Sequence, residues 1–430
     1  MGPLSIEIID SSEVESVPSH QKVERHRGCP TRVRTLRTLS ELHEFREIWD
    51  LWCDDPYSDM DFYLTSARCR VGFVRPHVLV MYRDKIPDCM LIGRLEQRHV
   101  QLKVGYKTIC EPMVKQLSFL RGGLLGNAST ENCQLLAREL KRSMRREEAD
   151  CVELTGMTKN SNLSKATSAE FNYLFQGHFV LFQERWWFNL PNSYQGFQQG
   201  MARKYRHEFR RHQRKLANDF PENAYIRRYC CEEEVDELVR RVEIVSTKTY
   251  QRALKVGFRP DTEVLEFLRS AARREGLRGY VLHLNNVPCA YFIGNKYRNT
   301  FYGDFIGFDP YFGKYSPGLL VLMRGIEECF DSTSRVTRFD LGLGDRAYKR
   351  MICNHSQQDG SQYLYAFSWT GLKLNLLRSS LCLLDLVARK LISKSGLLQQ
   401  LKNAWQHGLC SRSSGEIRTS SECNVRKAGI

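Results

Sequence analysis

Paired asparagines at 285 and 286 separate two apolar runs, 280–284 and 288–295. Asparagine tolerates the positive φ of a tight two-residue turn, so this stretch reads as a β-hairpin. A third strand follows over 300–306, then a helix over 316–330 and a strand over 336–341. A short helix at 345–351 and a strand at 363–369 close the unit. Strands joined across a sheet by a helix make an α/β unit.

The first part of the chain has a similar order without a visible sequence repeat. Ser40 is expected to cap a helix carrying Leu42, Phe45, Ile48, Trp49 and Trp52 at helical spacing. Strands are expected over 78–83, 89–95 and 152–155, with a helix from Thr130. The aromatic run 179–190 is read as a strand coupling the halves. Ser193 opens a basic helix reaching Asn218, another covers 232–250, and Asp261 caps one ending at Gly276. Residues 1–32 lack periodicity and read as a mobile arm. The expected fold is α/β (α+β), with units over 33–178 and 179–370 and a helical, then polar, tail over 371–430.

With 430 residues the chain can bury more than one core. Lys and Arg exceed Asp and Glu by 64 to 49, a net charge of +15. That surplus favours a polyanion: nucleic acid, an acidic membrane, or a phosphorylated cofactor or carrier. Fifteen cysteines without a Cys-x-x-Cys pair suit reduced thiols in the cytoplasm rather than staples or a metal site. Residues 1–18 hold four acidic residues and no apolar core, unlike a secretory signal. The leucine-rich stretch 372–392 contains Lys373, Arg378, Asp385, Arg389 and Lys390, too many charges for a transmembrane helix. It suits a helix packed on the second unit or, alternatively, peripheral contact with a membrane.

The segment from Gly307 to Leu322 leads from a strand into a helix. Ser316 fits the N-cap and Pro317 the first helical position, while Gly318 lets another backbone approach; Tyr315 precedes them. Free N–H groups and the macrodipole make such a start an anion site. The plain alternative is a capped helix with no ligand. A second glycine turn, Gly342-Leu343-Gly344, ends the next strand, and ligands of α/β sheets gather at strand carboxyl ends.

The run Phe339-Asp340-Leu341-Gly342-Leu343-Gly344-Asp345, continuing to Tyr348-Lys349, resembles the Asp-Phe-Gly-x-Gly-Asp-x-x-Tyr-Lys signature of CelD-like GNAT acetyltransferases linked to cellulose and exopolysaccharide biosynthesis. Pro288-Cys289-Ala290-Tyr291, Asp309-Pro310, Tyr315-Ser316-Pro317-Gly318 and the arginine-rich segment from Arg203 add to the resemblance. It implies two GNAT-like domains in tandem, each a mixed, mostly antiparallel sheet flanked by helices, as in the related Fem-type aminoacyl transferases. It also implies acetyl-CoA or a longer acyl-CoA as co-substrate, and no metal. Tyr-Ser-Pro-Gly departs from the usual GNAT phosphate loop, Gln/Arg-x-x-Gly-x-Gly/Ala, so an aminoacyl carrier stays open as donor.

Acyl transfer to an amine needs a base, a polariser of the thioester carbonyl and an acid for the thiolate. By the resemblance, backbone N–H groups of the strand at 300–306 polarise, and Tyr348 sits where GNAT enzymes place a general acid. Asp304 on that strand is the first candidate base; its plain role is an ion-paired carboxylate. Asp340 is ranked above Asp345 for orienting the amine, though both suit loop bonding. Tyr315, Ser316, Pro317, Gly318, Gly342, Gly344 and Lys349 are the candidate donor-binding residues. Lys349 alternatively pairs with a carboxylate.

Seven Lys and Arg fall within residues 203–215. Met201, Tyr205, Phe209 and Leu216 take one side, and Arg203, Arg206, Arg210 and Arg214 the other, marking an amphipathic helix. The basic side is either a solvated face or a cradle for a polyanionic substrate or carrier. The expectation is an acyl-CoA-dependent N-acyltransferase acting on an amine of a sugar, amino acid or other small acceptor in polysaccharide or envelope metabolism. The alternatives are Fem-type transfer from aminoacyl-tRNA and a non-catalytic scaffold in an envelope-synthesis complex.

Overall fold

The asparagine pair turns as its chemistry requires: φ is 50° at Asn285 and 63° at Asn286. These residues belong to a computed structural model that describes residues 32–104, 107–249, 257–331 and 334–394. The expected arm, apart from Arg32, and the chain beyond Lys394 lie outside the described residues.

The first half contains β1 (Arg32–Leu36), α1 (Leu39–His43), α2 (Arg46–Trp52), α3 (Met60–Cys69), β2 (Phe73–Pro76), β3 (Val78–Arg83) and β4 (Ile86–His99). It continues through β5 (Leu102–Val104), β6 (Lys107–Cys110), β7 (Met113–Gly126), α4 (Thr130–Arg145), β8 (Cys151–Thr158) and α5 (Asn162–Glu170). The second half holds β9 (Gln183–Asn189), α6 (Tyr194–Gly200), α7 (Arg203–Asp219), β10 (Ala224–Tyr229), α8 (Val235–Ser246) and α9 (Thr262–Arg273). The strands β11 (Leu277–Leu284), β12 (Val287–Tyr297) and β13 (Thr300–Phe308) lead to α10 (Pro317–Glu328) and β14 (Arg338–Leu343). Last come α11 (Ala347–Ile352), β15 (His355–Tyr365) and α12 (Trp369–Lys394).

Thirteen of these strands form one sheet, ordered β1-β3-β4-β7-β8-β15-β9-β14-β13-β12-β11-β10, with β2 beside β4. Pairing is antiparallel except at β7–β8 and β13–β14, where α4 and α10 carry the chain across. Each parallel pair is brief. Gln116–Phe119 face Cys151–Leu154, and Thr300–Tyr302 face Arg338–Asp340, after which the strands part. Each half therefore opens a cleft in the sheet between its parallel strands.

The strand expected to close the second unit does something else. β15 pairs Tyr365 with Cys151 and Asp359 with Thr158 on β8, and on its other edge His355 with Trp187 on β9. A period-2 pattern fixes which face is buried but not which edge a strand joins. The aromatic run before it does couple the halves, as β9 between β14 and β15.

Three helix expectations also change. Thr38, not Ser40, is the N-cap, in a capping box with Glu41, and the chain breaks at Glu44 and Phe45 between α1 and α2. Ser193 caps only α6; extended backbone at Met201 separates it from the basic α7. The tail helix α12 packs on the first half, not the second: Leu374 and Leu381 cluster with Leu102, Val114, Cys151 and Tyr365. Its opposite side leaves Trp369, Leu376, Leu383 and Val387 exposed. Among the described residues no helix is long and apolar enough to cross a membrane.

At the centre of the second half, Phe339 is fully buried and stacks on Phe301 at 4.7 Å and Phe188 at 5.3 Å. Removing an aromatic side chain from such a site loses its burial and leaves a cavity. Phe339→Ala should cost about 3–5 kcal/mol of stability, measured by denaturant unfolding.

Candidate active site

The β13–β14 opening leads into a cavity of about 610 Å³. Ile306, Gly307 and Phe308 form one wall and Ser316, Gly318 and Leu319 another. Tyr205, Glu208, Phe209 and His212 of α7 close it, with Arg346, Tyr348 and Met351 at or near α11. Beyond Tyr302, the backbone groups of β13 that face β14 have lost their ladder partner.

Of the donor-binding residues expected at the helix start, Ser316 and Gly318 line this cavity. Ser316 occupies the N-cap position but does not cap: its backbone is left-handed (φ 49°, ψ 49°), and its hydroxyl lies 3.2 Å from His212 Nε2. A Cβ on Gly318 would come within 3.2 Å of Phe308 Cδ1. Tyr315 lies behind this wall and donates to Asp219 at 2.6 Å, tying the end of α7 to the turn. Pro317 is buried with it.

The second glycine turn is placed differently from expectation. Gly342 and Gly344 adopt φ of 68° and 97°, yet their N–H groups are already used. Gly342 donates to Asp340 Oδ1 at 2.8 Å and Gly344 to the Glu184 carbonyl at 2.9 Å. Lys349, 4% exposed, donates to the carbonyls of Gly342 (3.1 Å) and Leu343 (2.6 Å). Burial pulls its pKa down to about 8. An anion site needs spare donors, so these three residues brace the turn and do not line the cavity.

Asp340 is 1% exposed and saturated: Arg185 reaches its Oδ2 at 2.8 Å, Arg338 at 3.4 Å, and Gly342 bonds its Oδ1. That is positioning rather than proton transfer. Asp345 is exposed and paired with Arg350. Tyr348 does face the cavity, half-buried against the core.

Asp304 is the residue left unpaired in register where β12 and β13 slip past one another. Such a bulge re-aims a side chain. Its Oδ1 accepts from the Tyr57 hydroxyl at 2.9 Å, while Oδ2 is shut off from solvent and has no partner among the described residues. Burial raises its pKa to about 7, opposed by the Tyr57 bond and Arg121 and reinforced by Asp55 and Asp340. Tyr57 is held protonated, its pKa pushed well up by burial and then by Asp304.

Arg121, which lies 4.3 Å over the Tyr57 ring, bonds Asp55 at 3.0 Å. Tyr57, Asp55 and Arg121 all come from the first half, so the site spans both halves. No local signal marks Tyr57, 247 residues from its partner. His212 was findable: it continues the stripe of Tyr205, Phe209 and Leu216. It is buried, with Nδ1 unpartnered among the described residues.

The basic side of α7 points away. Arg203, Arg210 and Arg214 are exposed and Arg206 half-buried, and none lines the cavity. Elsewhere among the described residues, Cys230, Cys231 and Glu234 converge within 4.8 Å at the β10 edge.

A carboxyl whose pKa is raised on folding makes stability fall as pH rises. The unfolded chain releases this proton near pH 4 and the folded chain only near pH 7, so stability drops across that interval. Asp304→Asn should flatten this fall and gain stability relative to the parent at pH 8, read by denaturant unfolding at pH 5 and 8.

Residues 203–350 match the family model described as an acetyltransferase (GNAT) domain. No curated protein sequence matches the chain. Among solved structures, FemX aligns with a TM-score of 0.51 at 10% identity, covering 74% of this chain and 96% of FemX. A tandem GNAT protein from the clavulanic acid biosynthesis pathway gives 0.47 at 10% identity, over 79% and 99% of the two chains. A conserved protein of unknown function from Bacteroides thetaiotaomicron gives 0.46 at 12%, over 75% and 97%. The second half thus carries a GNAT acetyltransferase domain within a mixed α/β, largely antiparallel fold, and the protein is an acyltransferase.

Proposed function

We propose that the protein is a cytoplasmic N-acyltransferase that takes an acyl group from acetyl-CoA or a longer acyl-CoA and passes it to an amine of a sugar, amino acid or other small acceptor. A role in polysaccharide or envelope biosynthesis is part of this reading, carried by the resemblance of the Gly342–Lys349 signature to CelD-like enzymes. The observation that carries the chemistry is a helix start and a strand with unpaired backbone at one opening, with a carboxyl of raised pKa on that same strand two residues before the cavity wall.

The cavity fits a phosphorylated carrier on its own chemistry. Gly318 leaves room a Cβ would take, and His212 offers a buried nitrogen with no partner among the described residues. Ser316, Gly318 and His212 would hold the carrier's anionic part at the start of α10. When bound, the carrier supplies a thioester whose carbon is open to attack. Backbone N–H groups of β13 beyond Tyr302 would draw on the carbonyl oxygen. Asp304, ionised above about pH 7, would take the proton of the incoming ammonium. Tyr348 would protonate the departing sulfur. Asp340 keeps its place in the site by holding the Gly342 turn.

A second reading has its own observation. Arg203, Arg210 and Arg214 are exposed on the helix whose other side lines the cavity. That ridge suits the backbone of a tRNA carrying the acyl group. Nuclease-sensitive co-purification with tRNA, without CoA binding, would favour it.

Titration calorimetry with acetyl-CoA and longer acyl-CoAs is the direct test. Gly318→Val should abolish binding, whereas Tyr348→Phe should keep it and lower kcat about 10–10²-fold. Absence of binding by every acyl-CoA would overturn the CoA reading. In the parent, kcat/KM should climb with pH through about 7, and Asp304→Asn should remove both the climb and most of the rate.

A further inference from the structure

A second pocket, of about 250 Å³, lies at the other opening of the sheet, between β7 and β8. Ser118 to Arg121 and Glu153 line it from the first half, and Glu263 reaches it from α9 of the second. Its size excludes a polymer or a CoA and admits a small molecule. Tyr57 connects it to the site already described: the ring faces this pocket, and the hydroxyl donates to Asp304. Asp304 in turn lies two residues, about 7 Å of strand, before Ile306 in the wall of the larger cavity. The Asp304–Tyr57 bond therefore links the lining of the smaller pocket to the strand that walls the larger cavity.

The charges here are unevenly paired. Four guanidiniums line the pocket, those of Arg70, Arg94, Arg98 and Arg121, beside Glu153 and Glu263, and Glu96 and Asp55 reach the same guanidiniums from outside the lining. Arg70 is bound by Glu96 at 2.6 Å and by Glu263 at 2.5 Å, Arg94 also bonds Glu96, and Arg121 bonds Asp55. Arg98 differs. Its nearest carboxylates, Glu96 and Glu153, are both 3.9 Å away, and its guanidinium makes no hydrogen bond among the described residues. It is also partly open, at 40% side-chain exposure. A guanidinium with unused donors at a pocket wall is a receptor for a carboxylate or phosphate oxygen. Behind Tyr57, Asp304 keeps one buried oxygen without a donor among the described residues, and an ammonium group supplies one.

We infer that this pocket is the acceptor site, and that it takes a small amine that also bears an anionic group: the anion lies on Arg98 and the amine points past Tyr57 toward Asp304. The inference rests on the acyltransferase reading for the larger cavity but adds the acceptor's class and place. Tyr57 is a positioning residue, holding Asp304 from the acceptor's side.

Calorimetry on the donor-free protein tests the pocket apart from the donor. The probes are β-alanine and phosphoethanolamine, with propylamine and ethanolamine as counterparts lacking the anion. At least one anionic probe should bind at least tenfold more tightly than its counterpart, and which one does so distinguishes a carboxylate acceptor from a phosphate one. Arg98→Gln should remove that preference and Arg98→Lys restore part of it. Gly318→Val should lose acetyl-CoA and keep the probe, so a failed donor reading and a failed acceptor reading look different. In thiol-release assays with acetyl-CoA, the preferred amine's KM should rise about 10–10²-fold in Arg98→Gln, with kcat changing far less. Equal binding of anionic and neutral amines, binding of none of them, or a preference that survives Arg98→Gln would each overturn the assignment.

Discussion

At the seam between the two halves one largely buried cation gathers three carboxylates. Arg185, on the strand at the seam, lies 2.8 Å from Asp340 of β14, 3.6 Å from Asp359 of β15 and 3.9 Å from Asp55 of the first half. These carboxylates are at most 4% exposed, so each charge has left water at a cost of several kcal/mol. Only mutual pairing offsets that cost, and pairing demands that the central strands and the Asp55 loop stay in fixed register. The loop so held carries Tyr57. With Arg121 and Arg338 included, three guanidiniums face four carboxylates, and the carboxylate in excess is Asp304. Its tendency to keep a proton follows from burial first and this imbalance second.

The parallel pairs explain why there are two places for ligands. Strands that pair for only three or four residues and then diverge leave backbone groups and side chains facing a gap. One gap lies beside the start of a 12-residue helix and is mostly apolar; the other is ringed by arginine and glutamate. Similar topology has thus produced sites of different chemistry, because the side chains at matching positions differ. The carboxyl between them belongs to neither strand pairing, sitting on a bulge.

Much of the second half could be read from sequence, because its signals are local. The asparagine turn, the Asp261 cap and the Ser-Pro-Gly helix start depend on residues within a few positions of one another. Ser316 and Gly318, singled out at the helix start, and Tyr348, singled out by resemblance, line one cavity, and Asp304 lies on the strand that leads into it. The glycine turn misled because φ above zero shows only that a backbone bends, not whether its N–H groups stay free. Arg185, Asp55, Tyr57 and Arg121 were invisible: nothing around them distinguishes a buried ion pair from a surface one, and their partners lie up to 247 residues away. Arg98 is an ordinary strand arginine until the distances of its neighbours are known.

The place of β15 bears on how the molecule is made. The first half to leave the ribosome cannot complete its sheet, because the strand that covers β8 is residues 355–365. Until those are synthesised, the edge of β8 offers unpaired N–H and C=O groups, a template for wrong pairing. Both halves then close together around β9 and β15. Translation order thus delays the joint site until almost the whole described chain exists, and premature termination upstream of residue 355 leaves an open-edged sheet rather than a working half.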